Sequence, residues 1–234
     1  MNADLHIHTC LSPCGDLDMS PGNIIRKARD KGLQVISITD HNSTLNVQVC
    51  IELGEENGVF VIPGCEVNTD EEVHCLCYFP NMDAINRFQL YLDSKMRNFE
   101  IDTNRFGCQV AVDKNDVIIY EEKRSLFLGI SDGIDKLEKV VHELDGIFVP
   151  AHIDKLKNSI YSQLGFIPPN LRYDALEISR NVTVEKFIRL HPELTNARFL
   201  TNSDAHYIED VGVVCNKLEM KSTDWESFKN AIYG

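Results

Sequence analysis

Short apolar runs alternate with helix-like segments along most of the chain. Seven runs are typical of buried strands, at residues 3–8, 33–39, 59–62, 73–79, 147–151, 174–178 and 198–202. Apolar residues recur at helical spacing between and after them, as at 44–56, 133–144, 183–190 and 223–232. The repeated order of strand, helix and strand predicts a parallel sheet with helices outside it.

The number of strands favours an α/β fold of a particular kind. About seven strands in 234 residues predict a small, distorted (β/α)7 barrel, similar in plan to a TIM barrel. An open doubly wound sheet is the second choice. It is disfavoured because the chain has neither a Gly-x-Gly-x-x-Gly turn nor a Walker loop.

Residues 81–131 break this rhythm. Apolar residues recur there at helical spacing, at Met82, Ile85, Phe88, Leu92, Met96 and Phe99. They predict an amphipathic helix over 82–99 whose apolar stripe faces the core. Because 100–131 is irregular, we interpret 81–131 as an insertion over the barrel mouth. No linker or repeat divides the chain, so residues 1–234 are expected to form one domain.

Composition and charge exclude several classes of protein. The chain is 43% hydrophobic and 25% charged, as in ordinary globular proteins. Acidic residues outnumber basic ones by 36 to 23, and the net charge of −13 disfavours long nucleic acid as a partner, although a short oligonucleotide is still compatible with it. No apolar run approaches the ~18 residues of a membrane span. The sequence does not indicate an oligomeric state.

The N-terminus and the cysteines indicate a cytoplasmic location. Residues 1–8 lack the basic and apolar regions of a signal peptide. The eight cysteines are expected to be reduced thiols, since the chain is long and the context is intracellular.

Six of the eight histidines lie at or just beyond the end of a predicted strand. They are His6, His8, His41, His74, His152 and His206. A single histidine at such a place is more often structural, but six, each beside a carboxylate or a polar turn, indicate a shared site. His142 and His191 fall in helical or loop contexts and are expected at the surface.

Two pairs of these residues are spaced for one side of a strand. His6 and His8 are two apart, so both point to the face that Asp4 also occupies. If that face is the barrel interior, the two imidazoles can coordinate one cation while Asp4 orients one of them. Asp204 and His206 share a face in the same way.

The donor set is too large for one ion. Glu66 follows an apolar strand, and its charge needs either a metal or a salt bridge. His74 alternates with Cys75 and Cys77, so it can face the site while the thiols pack elsewhere; a structural zinc at these cysteines is disfavoured. Six imidazoles and at least two carboxylates exceed one tetrahedral zinc and suit two or three metals with open positions.

The ordered motifs resemble those of the polymerase and histidinol phosphatase (PHP) family. They are His6-x-His8, Thr39-Asp40-His41, Glu66, His74, Ala151-His152 and Ser203-Asp204-Ala205-His206. They follow the family's order over nearly the whole chain. The resemblance implies a distorted seven-stranded (β/α) barrel, two or three divalent ions (Zn, Mn or Fe) and phosphoester hydrolysis.

The resemblance also implies the ligands of each ion. The first ion takes His6, His8, Glu66 and Asp204. The second shares Glu66 and adds His74 and His152. The third takes His41, His206 and one group from the loop after His8.

That loop departs from the family pattern. Many relatives have an Asp five residues beyond the second His, and Pro13 stands at that position here. Asp16 is favoured as the substitute ligand, because a hard carboxylate suits Mn or Fe as well as Zn. Cys14 and Asp18 are the alternatives. If none of them binds, the third site is weak or empty.

Several divalent ions would make a cationic pocket within this acidic protein. They lower the pKa of bound water toward ~7, so the expected reaction is attack of a metal-bridging hydroxide on a phosphoester. Arg180, just after the sixth strand, is a candidate for binding the phosphate. His206 and His41 are candidates for protonating the leaving group if the third ion is absent.

The favoured activity is a metal-dependent phosphatase acting on a small phosphomonoester, such as a nucleotide or histidinol phosphate. One alternative is a nuclease that trims oligonucleotide ends, and another is a non-catalytic, metal-binding regulatory barrel. Amidohydrolase barrels also begin with His-x-His. They often bridge two metals through a modified Lys, and no Lys occurs between residues 32 and 94.

Overall fold

Ten β-strands and eight α-helices make up the fold in the computed structural model, which describes residues 1–234. The strands are β1 (Asn2–Ile7), β2 (Val35–Ile38), β3 (Phe60–Asn68), β4 (His74–Tyr78), β5 (Val110–Val112), β6 (Ile118–Glu121), β7 (Ile147–Pro150), β8 (Leu176–Glu177), β9 (Phe199–Leu200) and β10 (Asn216–Lys217). The helices are α1 (Pro21–Asp30), α2 (Val47–Asn57), α3 (Met82–Lys95), α4 (Thr103–Phe106), α5 (Ile134–Glu143), α6 (Ile160–Leu164), α7 (Val184–Leu190) and α8 (Trp225–Tyr233).

The first three strands form the parallel sheet that the sequence predicts. Ala3 of β1 lies opposite Val35 of β2, and Val35 lies opposite Phe60 of β3. Parallel strands end at a common edge of their sheet. The residues that follow β1 and β2, and the last residues of β3, therefore gather at one edge.

β4 runs antiparallel to both of its neighbours, β3 and β7, so the prediction of a wholly parallel sheet is wrong here. The reason is the connection between β3 and β4, residues 69–73, which is too short for a crossover of a dozen or more residues. His74, the first residue of β4, lies opposite Asn68 at the carboxyl end of β3. The reversal thus brings His74 to the same edge.

The strands form a curled half-barrel of the α/β class. Six of them make one sheet in the order β10-β1-β2-β3-β4-β7, and β8 and β9 make a separate parallel pair. Backbone hydrogen bonds continue beyond these ladders: the Asp174 N–H donates to the Phe148 carbonyl (2.9 Å), and the Ala205 N–H to the His6 carbonyl (3.2 Å). A full (β/α)7 barrel is not confirmed.

Apolar side chains pack on both faces of the sheet. A cluster of 37 buried residues, which includes Cys75 and Cys77, lies between the sheet and its helices. A second cluster of 16, which includes Leu76 and Tyr78, contains the buried face of α8. The two cysteines of β4 therefore pack away from its other side chains, as the alternation predicts.

Simple alternation fails in β1. Leu5 lies in the smaller cluster and Ile7 in the larger one, although their spacing predicts a single face. The pairing of β1 with β2 shifts register between Asp4 and Ile7, and this irregularity changes which side each residue occupies.

α3 accounts for much of the predicted helix at 82–99. The Asn81 side chain accepts a hydrogen bond from the Ala84 N–H and so caps the first turn. Ile85 and Phe88 are buried, as the stripe predicts. The helix ends at Lys95, short of the predicted boundary, and Phe99 is 63% exposed.

The end of segment 81–131 returns over the edge where the strands meet. Asn42, just after β2, donates through Nδ2 to the carbonyls of Leu126 (2.9 Å) and Leu128 (3.0 Å). The Phe127 ring lies 6.4 Å from the His41 ring, centroid to centroid. That this segment is an insertion within a single domain stays a prediction.

Two further features concern the cysteines and the helices. All eight cysteines are free thiols, and five of them are buried. No helix has the length and apolar character needed to cross a membrane.

The two histidines expected at the surface have defined partners. His142 is half-buried, and its Nε2 lies 2.9 Å from Oδ2 of Asp174. The His191 ring stacks on Phe187 with their centroids 4.5 Å apart. Neither residue joins the other six histidines.

Candidate metal centre

Six histidines and two carboxylates from separate segments meet at the edge where β1, β2 and β3 end. They are His6, His8, His41, Glu66, His74, His152, Asp204 and His206. Centroids of neighbouring imidazoles lie 4.2–6.5 Å apart. The structure thus brings together eight of the nine residues that the sequence nominates as metal ligands, and Asp16 is the exception.

The Glu66 carboxylate lies at the middle of the cluster and is 1% exposed. Its Oε2 lies 3.2–3.3 Å from ring nitrogens of His6, His8 and His41. Its Oε1 lies 3.0–3.1 Å from ring nitrogens of His74 and His152. Each oxygen therefore faces a different set of imidazoles, as a carboxylate that bridges two cations would.

Hydrogen bonding fixes the tautomer of His6. Its Nδ1–H donates to Oε1 of Glu177 (3.0 Å), because a carboxylate can only accept. The bare Nε2 then faces Oε2 of Glu66 at 3.3 Å and Oδ1 of Asp204 at 3.4 Å. A neutral His6 thus points a lone pair at two carboxylate oxygens.

His8 is oriented in the same sense. The Ser12 hydroxyl donates to Oδ1 of Asp40 (2.6 Å), so its oxygen accepts from Nδ1–H of His8 (3.0 Å). The bare Nε2 of His8 lies 3.1 Å from that of His6. These two ring nitrogens and the two carboxylates that face them repel one another unless a proton or a metal ion lies among them. The donor set therefore fits a bound metal ion.

The buried charges shift the pKa values of the cluster in different directions. Burial alone would lower the pKa of His6, but Glu177 and the two other facing carboxylates outweigh burial and raise it well above its ordinary value. Burial alone would raise the pKa of Glu66, but His74 and the other facing imidazoles hold it well below its ordinary value. Burial lowers the pKa of His206 to about 4 and that of His41 well below its ordinary value. Both imidazoles are consequently neutral at pH 7, which suits a ligand better than a cationic acid.

Two site residues have a left-handed backbone. The φ angles are 30° at His152 and 53° at Asp204, conformations that cost non-glycine residues about 1–3 kcal/mol. The His152 N–H donates to Oε2 of Glu177 (2.8 Å), which helps hold this conformation. Lys155 forms an ion pair with Asp204. Such strain is typical of residues whose position serves a site.

Glu177, at the end of β8, is a site residue that sequence analysis missed. Besides the hydrogen bonds from His6 and His152, it accepts one from Nδ2 of Asn202 (2.8 Å). It is 2% exposed. Its position near the end of the predicted strand 174–178 is the only signal in the sequence, and no histidine motif accompanies it.

Asp4 does not orient a histidine, contrary to the expectation. Its carboxylate accepts hydrogen bonds from the backbone N–H groups of Ser203 (3.1 Å) and Gly212 (2.9 Å). It therefore holds the segment that carries Asp204 and His206.

The loop after His8 presents Cys14, and not Asp16, to the cluster. Asp16 is exposed, and its Oδ1 accepts from the Asp18 N–H (2.9 Å). Its own N–H donates to the His206 carbonyl (2.9 Å), which docks the loop backbone while the carboxylate turns outward. Cys14 offers a sulfur that lies with nitrogens of His8, His41 and His206 in a group whose atoms are all within 4.8 Å.

A polar cavity of about 140 Å³ adjoins the cluster. It is lined by His152, Lys155, Glu177, Ser179, Arg180, Asn181, Asn202, Ser203 and Asp204. Arg180 thus lies beside the site, as predicted, but its Nη1 donates to Oδ1 of Asp210 (2.9 Å). Lys155 lines this cavity and also the opening over Glu66 and His74.

Family models match two parts of the chain. The PHP domain model matches residues 4–165, and the PHP-associated model matches residues 193–233. The first match alone covers more than half of the chain. The chain belongs to the PHP domain family, and the resemblance drawn from its motifs is confirmed.

A relative of similar sequence is a Bacillus subtilis protein named Uncharacterized protein YqxK. The two are 25% identical over 264 aligned positions, which take in 99% of this chain and 62% of YqxK. This chain therefore spans less than two thirds of that relative's length.

Two solved structures share the fold. The lesion-specific endonuclease PfuEndoQ from Pyrococcus furiosus is 23% identical, with a TM-score of 0.75 over 99% of this chain and 55% of its own. A putative metal-dependent phosphoesterase from Bifidobacterium adolescentis is 18% identical, with a TM-score of 0.61 over 98% of this chain and 95% of its own. At identities this low, the comparisons show a shared fold.

Proposed function

We propose that this protein hydrolyses phosphoesters at a centre of two divalent metal ions bridged by Glu66. The observation that carries the proposal is that Oε1 and Oε2 of this buried carboxylate face separate sets of imidazoles. Zn, Mn and Fe suit such a mixture of imidazole and carboxylate ligands. Membership of the PHP domain family supports the same conclusion.

The proposed ligand sets are those that the motifs of the family imply. The first ion is held by His6, His8, Glu66 and Asp204. The second is held by Glu66, His74 and His152. A third is held by His41 and His206 with a group from the loop after His8.

Bound divalent ions would lower the pKa of water and polarise a phosphoryl group at this place. The chain's own residues orient and bind. Glu177 and Ser12 fix the imidazoles of the first ion by accepting their Nδ1–H protons. Lys155 and Arg180 border the adjoining cavity and supply cationic hydrogen-bond donors for phosphate oxygens.

The proposed substrate is a small phosphomonoester, such as a nucleotide or histidinol phosphate. The adjoining cavity of about 140 Å³ has no hydrophobic lining residue, which suits a phosphate and a polar leaving group. The strand ladders and the hydrogen bonds between them support a closed, distorted (β/α)7 barrel as the scaffold. We place the site at the mouth of this barrel.

Substitution of the bridging residue tests the proposal. Protein loaded with Mn or Zn should release phosphate from one or more members of a panel of sugar, nucleotide and amino-alcohol phosphates. Glu66→Gln should abolish this turnover and lower the metal content, because both ions lose their shared ligand. Glu185→Gln, at an exposed site on α7, is the matched control.

Two results would contradict the proposal. One is a metal content below one ion per chain in elemental analysis after loading. The other is a folded Glu66→Gln variant that retains the wild-type rate at saturating metal.

Cleavage of nucleic acid is the second candidate. The observation that favours it is the fold shared with PfuEndoQ, named as a lesion-specific endonuclease, across 99% of this chain. The net charge of −13 disfavours long nucleic acid, so short oligonucleotides or ends are the proposed substrates of this kind. Incubating the loaded protein with short DNA, intact or lesion-bearing, distinguishes the two, since only the second candidate gives shortened strands.

A further inference from the structure

We infer that Cys14 binds a metal ion as a thiolate, together with His41 and His206, and so makes the third position of the centre selective for thiophilic metals. The inference rests on the metal centre of the proposed function and deepens it. It concerns the position for which the resemblance to the family supplies no residue, because Pro13 replaces the usual Asp.

The first support is the donor set itself. Cys14 offers its sulfur within a group of four possible ligand atoms, the others being ring nitrogens of His8, His41 and His206, and no two of the four are more than 4.8 Å apart. These residues come from three separated segments of the chain. Thiolate sulfur and imidazole nitrogen are donors that zinc prefers. Because His8 is assigned to the first ion, His41 and His206 are the imidazoles that would share this position with Cys14.

The second support is the protonation of the surrounding rings. Nδ1–H of His206 donates to the Asp204 carbonyl (2.8 Å), so its Nε2 is bare. His8 is fully buried, and its Nε2 is bare because Nδ1–H donates to Ser12. The atoms facing Nε2 of His8 are a ring nitrogen of His6 and oxygens of Glu66 and Asp204. These atoms are the ligands proposed for the first ion, so Nε2 of His206 is the bare ring nitrogen that is available beside Cys14.

The fold of the loop explains why the cysteine takes this place. The Asp16 N–H donates to the His206 carbonyl and the Gly15 N–H to the Ser12 carbonyl (both 2.9 Å), so the chain turns tightly back beside His206. A Cβ added to Gly15 would lie 2.3 Å from the Thr9 carbonyl oxygen, so this close approach requires glycine. The turn brings Cys14 inward and leaves Asp16 exposed.

The nearby Cys10 is a different case. It is buried, and its sulfur lies 3.8 Å from the Val110 carbonyl, away from the histidines. Cys108 and Cys215 are exposed and far along the chain. Cys14 is therefore the cysteine that the structure assigns to the centre.

Binding breaks the S–H bond of Cys14 and passes its proton to solvent, while sulfur donates an electron pair to the ion. A thiolate is a soft ligand, so this position should prefer Zn, Fe or Co over Mn or Mg. The other two positions, built from nitrogen and oxygen donors, should show this preference less strongly.

Cobalt(II) is the probe for the test, because a thiolate bound to cobalt absorbs in the near ultraviolet by charge transfer, whereas imidazole and carboxylate ligands do not give this band. We expect the band in full-length protein loaded with cobalt. It should be lost in Cys14→Ser together with one bound cobalt per chain, and should persist in the matched control Cys108→Ser.

Alkylation of the thiols provides a second readout. With zinc bound, labelling of Cys14 by iodoacetamide should slow by about tenfold or more, because alkylation requires a free thiolate. Labelling of exposed Cys108 and Cys215 should not change. Removal of zinc with a chelator should restore the labelling of Cys14.

The inference is overturned if the wild-type protein lacks the charge-transfer band, or if folded Cys14→Ser keeps both the band and the full cobalt content. A band without phosphoester hydrolysis would uphold Cys14 as a ligand and contradict the proposed function. Phosphoester hydrolysis without the band would support the proposed function and contradict Cys14 as a ligand.

Discussion

The imidazoles of the centre are oriented by hydrogen-bond acceptors around them, such as Glu177 and Ser12, and sequence patterns reveal these acceptors only in part. The six strand-end histidines and Glu66 were recognisable because their types and positions are unusual together. Glu177 escaped notice since a lone carboxylate at a strand end has no second signal beside it. The choice between Cys14 and Asp16 was beyond sequence reasoning, because a tertiary hydrogen bond between Asp16 and His206 decides it.

Replacing Glu177 tests whether these acceptors position the imidazoles. Glu177→Gln keeps the shape of the side chain but removes the charge that faces His6, and it weakens the acceptor for the His152 N–H. Metal affinity should fall by about 10–100-fold, the usual cost of losing such a partner. Calorimetric titration of metal into the metal-free protein measures the change. Unaltered affinity in a folded Glu177→Gln variant, with Glu185→Gln as control, would show that Glu177 does not position the ligands.

Among the elements, β4 departs from the predicted sheet because it runs antiparallel to its neighbours. His74 nevertheless lies beside the other histidines, as the sequence predicts. The apolar pattern of 73–79 identifies the strand but not its direction. Direction follows from the short connection 69–73, which permits only an antiparallel return. Because His74 begins the strand, the reversal places it with residues that end other strands. The end of α3 was overestimated for a similar reason, since Phe99 continues the spacing but has no core to face.

α5 carries a pH-dependent contact that sequence analysis placed at the surface. Hydrogen bonds to Asp174 and Glu138 raise the pKa of His142. Protonated His142 therefore stabilises the fold below its ordinary pKa of ~6.5, and this stabilisation is lost as the pH rises through the higher folded-state value.

His142→Gln should consequently lower the melting temperature more at pH 6 than at pH 9. A loss of about 1 kcal/mol corresponds to roughly 2–4 °C for a chain of this size. Differences between variant and wild type at each pH cancel the titration of the metal-site histidines. An equal change at both pH values would mean that the charge of His142 contributes nothing.

At the scale of the whole molecule, a strongly negative surface surrounds a centre built to hold cations. The net charge of −13 is that of the amino-acid residues alone and does not include the charge of any bound ion. Any anionic substrate must therefore approach through a repulsive field before it reaches the attraction of the centre. The negative charge can be predicted from composition alone, whereas the cation-binding centre is recognised from its buried nitrogen and oxygen donors.

Added salt should accelerate capture of anionic substrates, because screening weakens the repulsion over distances of about a Debye length, ~10 Å at 0.1 M. We expect kcat/KM to rise with sodium chloride at constant metal concentration, and to rise more for a short oligonucleotide than for a monoester. A control in which sucrose replaces the added salt at equal osmolality separates charge screening from osmotic effects. A steep fall of kcat/KM with salt would instead indicate a local basic path to the centre.

The hydrogen bonds from Ser203 and Gly212 to Asp4 also bear on the stage of synthesis and folding at which the ligands come together. Asp4 is synthesised early and its two partners late, 199 and 208 positions further along the chain. Contacts of such long range close slowly, since a large loop entropy must be overcome before they form. While the ribosome is still adding these residues, His6 and His8 have no Asp204 to complete their set. The complete ligand set proposed for the first ion can therefore form only after the segment that carries Asp204 has been synthesised and has docked.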